Sequence, residues 1–389
     1  MKQSWFKRIS QSRLFIGLSH WEYWPFAAVY FPIYPVWLWY AFKSRSIFFF
    51  GPSNPGIRYA GFLMESKKEI YDTYSALNMP VTILMCPLSH LEDIEQILQQ
   101  EKLSYPLIAK PDIGMQGRGV YKIESREQLK SLITQIQVSY VLQPFIPLAK
   151  EIGVFFVRTA AFPNGHITGV VEKVFVEVTG DGCSSIRQLL AKSRRYRFHL
   201  PSLLKSIGSK IDEIPTKGVT EVLVPFGNHA RGAMFLDATK QMAALLTPVI
   251  QQHMKLAPGF NYGRLDIRYS SESEMAANTN WTIIEINGAG SEPTHMYDPA
   301  HKLWHAWKEI IHHWHLLYLV SKENRQAGFK NMSLKEGISM YSAFIKYKAQ
   351  LSEHNSLDIN QLNISKTESY LKQTDQGFPR PDALMMIEN

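Results

Sequence analysis

Four polar side chains, at two-residue spacing on two neighbouring segments, form the strongest chemical pattern in this 389-residue chain. Arg264 and Asp266 alternate with Leu265 and Ile267, and Glu285 and Asn287 alternate with Ile284 and Ile286. Such alternation predicts two antiparallel strands, Gly263 to Tyr269 and Trp281 to Asn287, joined by a polar turn, with each polar pair on one face of its strand. Paired across the hairpin, the four would make one cluster. Two carboxylates and an amide oxygen are hard ligands suited to magnesium, which takes few protein ligands and completes its shell with water and phosphate. The arginine would face oxygens that gain charge as a phosphoryl group moves. A solvated polar hairpin face would show the same spacing, so the choice rests on the rest of the chain.

Upstream, Lys110 precedes Gly114, Gly117 and Gly119. Glycines permit backbone conformations closed to other residues and let amide groups approach a phosphate, with the lysine supplying positive charge; a plain turn is the alternative. Gln143, Phe145 and Ile146 then sit at a strand end, where apolar side chains could clamp a purine, and Glu151 is placed to accept from a ribose hydroxyl. Lys173 lies mid-strand among apolar residues, where an unpaired ammonium is costly, so an anionic partner is expected. His301 and His305 stand four apart and could share a metal, although surface or packing roles are the commoner reading for such a pair.

These residues need elements to carry them. Helices are expected over Ser66–Asn78, Ser89–Gln100 (capped by Ser89), Arg126–Gln135 (a Ser125/Gln128 capping box), from Ser184 to Arg195, and over Ala238–Leu256 behind Asp237. The last should turn Leu245, Leu246, Val249 and Ile250 to a core. Further helices are expected over His301–Val320 and Leu334–Leu351. Strands are expected over Ser46–Phe50, Pro80–Met85, Tyr105–Lys110 and Val138–Ile146. A hairpin of Glu151–Phe162 with His166–Val178 should turn at Asn164–Gly165. Residues 198 to 220 show no firm pattern, and the tail from Ser352 is polar and aperiodic.

The composition is globular, with 45% hydrophobic and 20% charged residues, and the net charge of +8 suits nucleotide phosphates or an anionic membrane surface. No long basic run singles out nucleic acid, which is not expected as a partner. Two cysteines, Cys86 and Cys183, have no metal-ligand spacing, so a reducing cytoplasm is the expected compartment. The oddest stretch runs from Trp21 to Phe50. Its eighteen residues from Pro25 to Phe42 are uncharged, rich in Trp, Tyr and Phe, and interrupted by Pro25, Pro32 and Pro35. Behind a basic amphipathic start, it reads as a monotopic or re-entrant contact with the inner face of a membrane, or else as an aromatic cover over a core or a subunit interface such as a homodimer's.

In order and spacing these signatures resemble the ATP-grasp superfamily, in its branch of D-alanine:D-alanine ligase and cyanophycin synthetase, over roughly residues 66 to 298. The resemblance implies an α+β fold: two α+β subdomains gripping ATP behind a shortened N-terminal α/β domain. The expected division is 1–45 (aromatic segment), 46–104 (shortened α/β domain), 105–182 (subdomain with the glycine lid), 183–300 (catalytic subdomain), 301–351 (helices) and 352–389 (tail). By the same resemblance Lys67, Lys110 and Lys173 would contact phosphate, Gly114 to Gly119 would form a mobile lid, and Gln143 to Ile146 the adenine hinge. Glu151 would meet the ribose, while Asp266, Glu285 and Asn287 would hold one or two Mg²⁺. Arg264 would steady the transferring phosphate, and Asn228, His229 and Arg231 would line the acceptor side.

Three departures qualify the match. Ser66 stands where aspartate usually precedes the first lysine, Gly288 to His295 lacks the proline-glycine-methionine of dipeptide ligases, and the aromatic run has no counterpart in soluble ones. The implied activity is ligation through an acyl phosphate, joining a small or lipid-borne carboxylate to an amine, less often a thiol or hydroxyl, with Arg264 and the amides of Gly288 to Ser291, Gly290 among them, holding the oxyanion. The rival readings are a membrane-associated ATP-binding scaffold or sensor, and a phosphotransferase on the same fold.

Overall fold

The computed structural model describes residues 12–114 and 117–353. The N-terminal basic stretch up to residue 11, Met115 and Gln116 of the glycine loop, and the tail from residue 354 lie outside the described residues.

The described residues open with α1 (Arg13–Ser19), α2 (Phe26–Tyr30) and α3 (Tyr34–Ser44), followed by turns where a strand over Ser46–Phe50 was expected. Phe49 and Phe50 are buried as expected, but by packing on Trp37 and Phe62 rather than in a sheet. Next come α4 (Lys67–Thr73), β1 (Ile83–Met85), α5 (Leu91–Gln100), β2 (Leu107–Pro111), β3 (Tyr121–Ile123), α6 (Arg126–Ile133) and β4 (Tyr140–Pro144). The four strands form one antiparallel sheet in the order β1-β4-β2-β3. The strand of the segment expected to be a separate short α/β domain is thus the edge of this sheet, its Ile83 opposite Leu142. Ser89 does not cap α5; it accepts from the Cys86 amide and tightens the preceding turn, leaving His90 at the cap position.

A second sheet follows, of β5 (Lys150–Thr159) and β6 (Phe162–Val174), with β7 (Val176–Thr179) continuing into a small separate ribbon. The β5–β6 turn falls at Ala160–Ala161, not at Asn164–Gly165. Gly165 instead takes positive φ within β6, where its ring neighbour Phe156 leaves no room for a Cβ. The chain then forms α7 (Ile186–Lys192), α8 (Arg194–Ile207), β8 (Thr220–Val224), β9 (Met234–Asp237) and α9 (Thr239–Met254). Ser185, not Ser184, caps α7, in a reciprocal capping box with Gln188, because the Ser184 hydroxyl is committed to Asp181. The region without a sequence pattern begins in α8, a helix that packs over the β7–β8 ribbon, and runs on through a short 3-10 turn (Gly208–Asp212) to β8. On α9, Leu246, Val249 and Ile250 enter the core, whereas Leu245 is exposed.

The hairpin of β10 (Tyr262–Tyr269) and β11 (Trp281–Asn287) completes the sheet order β11-β10-β5-β6-β9, its connection containing the one-turn helix α10 (Glu272–Ala276) rather than only a polar turn. Its inner face packs on α9, burying Ile267, Ile283 and Phe260 with Tyr74 just after α4. The described residues end in α11 (Leu303–Gln326) and α12 (Leu334–Glu353).

The aromatic segment lies along α11. Trp307 donates to the Val29 carbonyl (2.8 Å), Trp21 donates to the His301 carbonyl (2.9 Å), and Tyr40 stacks on Tyr318. One side is therefore a cover over the core. The other leaves Phe31, Leu38, Trp39 and Phe42 exposed. Pro32 and Pro35 divide the run into short helices, and among the described residues no helix is long and apolar enough to cross a membrane.

Candidate active site

Asp266 and Glu285 are direct cross-strand partners on the β10–β11 hairpin, and Arg264 stands opposite Asn287. The two-residue spacing thus does place all four at one place. The register slips by one just beyond Asp266, so that Ile284 is bulged out of the ladder. Such bulges re-aim backbone groups next to sites. Here the released Ile284 carbonyl accepts from the Lys110 ammonium (2.9 Å) and the Tyr71 hydroxyl. Lys110 comes from β2 in the first sheet and Tyr71 from α4, so both sheets meet at this carbonyl.

Around it lies a buried network of opposite charges. Arg264 grips both oxygens of Asp266, at 2.8 and 3.2 Å. Lys173, near the C-terminal end of β6, reaches Glu151 at 2.9 Å and Asp266 at 3.1 Å, supplying the anionic partners its burial demands. Glu151 uses its second oxygen on Arg268 at 3.1 Å, and Lys67, in the first turn of α4, reaches Glu285 at 3.3 Å. Burial disfavours charge on Lys173, yet Asp266 and Glu151 outweigh it and raise its pKa. Burial likewise opposes ionisation of Asp266, but Arg264 and Lys173 hold its pKa below the usual carboxylate range. Lys67 and Lys110 do the same for Glu285. At Lys110 desolvation wins and the pKa is lowered. Five cations, Lys67, Lys110, Lys173, Arg264 and Arg268, converge where the two sheets meet, among Glu151, Asp266 and Glu285, with Glu65 near Lys67 and Glu292 near Arg264. Lysines and arginines gathered in this way are suited to a polyanion.

The glycine loop closes on this network. A Cβ on Gly114 would lie 2.2 Å from the Lys67 ammonium, and one on Gly117, at φ +69°, would lie 2.2 Å from the Asn228 side chain. The loop and the expected acceptor loop are therefore neighbours. Gly119 also takes positive φ, against Tyr140. His229 pairs with Glu22 at 2.9 Å, and burial lowers its pKa despite that partner. Arg231 lies over the Phe226 ring. At the expected adenine hinge Gln143 is buried and donates to Thr82 (2.7 Å), while Phe145 lies under the Lys122 ammonium, with Ile146 beyond it half-buried.

Two groups of the predicted site already have protein partners. Glu151 has both oxygens engaged by Lys173 and Arg268 and braces the charge network, as Asp266 does through Arg264 and Lys173. The amides of Ala289, Gly290 and Ser291 already donate to the carbonyls of Ala60, Gly61 and Gly288, and the Ser291 hydroxyl donates to Asn287 and Gly288. These three amides hold the loop's shape and are not aimed at an oxyanion.

Sequence reasoning missed Arg268, Tyr71 and Glu22. Arg268 continues the Arg264–Asp266 alternation and Tyr71 follows Lys67 by four on a helix, so both carried a signal. Glu22, the lone acid of the aromatic segment, is buried against Arg195 and His229. Tyr30 and Tyr297 also converge on Glu292, next to Arg264.

No family model matches the chain. Cyanophycin synthetase of Synechocystis sp. is 22% identical over 218 residues, 52% of this chain and 25% of that protein. The chain resembles the ATP-grasp ligases. Among solved structures it is similar to the bifunctional glutathione synthetase of Pasteurella multocida (TM-score 0.37, 17% identity, 70% of this chain and 39% of that one). It is also similar to the D-alanine-D-alanine ligase of Coxiella burnetii (TM-score 0.37, 12% identity, 72% and 62%). The chain thus spans a quarter to under two thirds of the length of these proteins. The α+β class expected from the resemblance is present.

A magnesium site can be tested against the residues themselves. Asp266, Glu285 and Asn287 bring two carboxylates and an amide together, and the buried Asn287 side-chain nitrogen has no hydrogen-bond partner. Turned over, the amide would present its oxygen, and the donor set then fits a hard divalent cation.

Proposed function

We propose that this chain is an ATP-dependent ligase that activates a carboxylate as an acyl phosphate and passes the acyl group to an amine. The observation that carries the reading is the convergence of Lys67, Lys110, Lys173, Arg264 and Arg268 where the two sheets meet. The β- and γ-phosphates of ATP would lie against Lys67 and Lys110, under the Gly114–Gly119 loop. A carboxylate oxygen of the first substrate attacks the γ-phosphorus as the bond to the ADP oxygen breaks. Arg264, fixed by its two bonds to Asp266, faces the oxygens that gain charge. The amine nitrogen then attacks the acyl carbon, the bond to the phosphate oxygen breaks, and a proton is lost from nitrogen. Magnesium, held by Asp266, Glu285 and Asn287, supplies neutralisation of phosphate charge.

The acceptor side is bounded by Asn228, His229 and Arg231, with Glu22 and Tyr30 of the aromatic segment behind it. Because that segment also exposes Phe31, Leu38, Trp39 and Phe42 beside Lys43 and Arg45, we place the protein at an anionic membrane surface and take one substrate to be lipid-borne.

The test is phosphate release from ATP and Mg²⁺ by wild type and Asp266→Asn, with aqueous and lipid fractions of a cell extract added separately. Release by wild type alone, stimulated by the lipid fraction, is expected, as is binding to anionic vesicles weakened by Phe31→Ser and Trp39→Ser. Stimulation only by the aqueous fraction would remove the lipid-borne substrate. ATP binding with no release under either fraction would remove the ligase.

A further inference from the structure

We propose that Asp237, His301 and His305 form a zinc site, separate from the ATP site and independent of the ligase reading. One donor atom from each of the three lies within 4.8 Å of the others. Asp237 ends β9, His301 precedes α11 and His305 lies in its first turn, so residues some sixty positions apart converge.

The unsatisfied atoms point to a ligand. His301 Nδ1 and His305 Nε2 are both shielded from solvent, and neither has a hydrogen-bond partner. A buried polar atom without a partner is costly, and two in one pair of rings tilted at 46° with centroids 3.9 Å apart want a shared Lewis acid. Asp237 offers its Oδ2, 3.6 Å from His301 Nε2, while its Oδ1 is occupied by the Thr239 amide. Two imidazoles and a carboxylate are a ligand set that zinc takes at roughly 2.0–2.2 Å with a fourth position open. Rotation of partly exposed side chains can close the remaining distance. Asp298 and Glu309 add negative charge nearby, against the unfavourable positive end of α11.

The consequence is mechanical. Asp298 accepts from the Asp237 amide at 2.8 Å, and the loop between β11 and α11 that ends at Asp298 also carries Glu292 and Tyr297 at the acceptor side. Zinc at this site would pin the end of β9 to α11 and stiffen that loop.

The experiment uses the full chain, stripped with a chelator, held in magnesium and titrated with zinc chloride by calorimetry. Uptake of about one zinc per chain at micromolar affinity or tighter is expected, with a rise in melting temperature. His305→Ala and Asp237→Asn should each weaken binding tenfold or more, and Asp266→Asn should leave it unchanged. Should His305→Ala fail to fold, His301→Gln replaces it, and cobalt-loaded wild type must show the intense visible band of a four-coordinate site. Absence of zinc uptake, absence of that band, or loss of uptake in Asp266→Asn alone would overturn the proposal.

Discussion

Replacing Lys173 by methionine removes the ammonium that joins Glu151 to Asp266 and keeps the side chain's bulk. Lys173 is 6% exposed, Glu151 5% and Asp266 4%, so water cannot take over its role. Breaking a buried ion pair from one side costs about 3–5 kcal/mol, because the remaining charge is left buried without compensation. Each carboxylate here keeps one cation, Arg268 at 3.1 Å and Arg264 at 2.8 Å, which puts the expected loss at the low end, about 3 kcal/mol. At ~2–4 °C per kcal/mol, Lys173→Met should melt ~6–12 °C below wild type at pH 7. The pH dependence supplies a second readout. Asp266 has a depressed folded pKa, so its contribution is present above the unfolded carboxylate value and lost as pH falls through the folded one. Without Lys173 the depression shrinks, and the stability lost on acidification below about pH 4 should shrink with it. Differential scanning calorimetry from pH 7 downward measures both. A variant melting within ~1 °C of wild type at pH 7 would refute the claim that this lysine holds the network together.

Gly114→Ala should push the Lys67 ammonium away from Glu285 without disturbing the core, since the atom it meets is the free end of a flexible side chain. Calorimetry should find ATP binding about tenfold weaker, about 1.4 kcal/mol, with little change in melting temperature. His313 is buried, donates from Nδ1 to the Glu309 carbonyl (2.8 Å), and has its pKa lowered by burial to about 3. The unfolded chain therefore binds a proton that the folded one refuses, and stability should fall as pH drops below about 6.5, by ~2 kcal/mol at pH 5. Denaturant titrations at pH 7 and 5 should show that loss, and His313→Gln should reduce it. Glu22→Gln should leave the buried Arg195 without its counter-charge, costing about 3 kcal/mol in urea unfolding, and should free His229 on the acceptor side.

Much of the site's composition was legible in the sequence, because two-residue alternation fixes which side chains share a face of a strand. That rule alone brought Arg264, Asp266, Glu285 and Asn287 together, and mid-strand placement alone demanded an anionic partner for Lys173. The glycines before Val120 were readable for the same local reason, as positions where a side chain would be in the way. What the sequence could not contain was the identity of partners far along the chain. The bulge at Ile284, which lends a carbonyl to Lys110 and Tyr71, depends on the register of β11 against β10, and Glu151 serves as a brace only because Arg268 stands on the next strand. The amides of Ala289 and Gly290 turn away from the chemistry only because Ala60 and Gly61 pack beside them. Likewise the aromatic segment reads as apolar throughout, yet α11 decides which rings are buried and which face outward. Local spacing sets what a side chain can present; long-range packing sets what it meets.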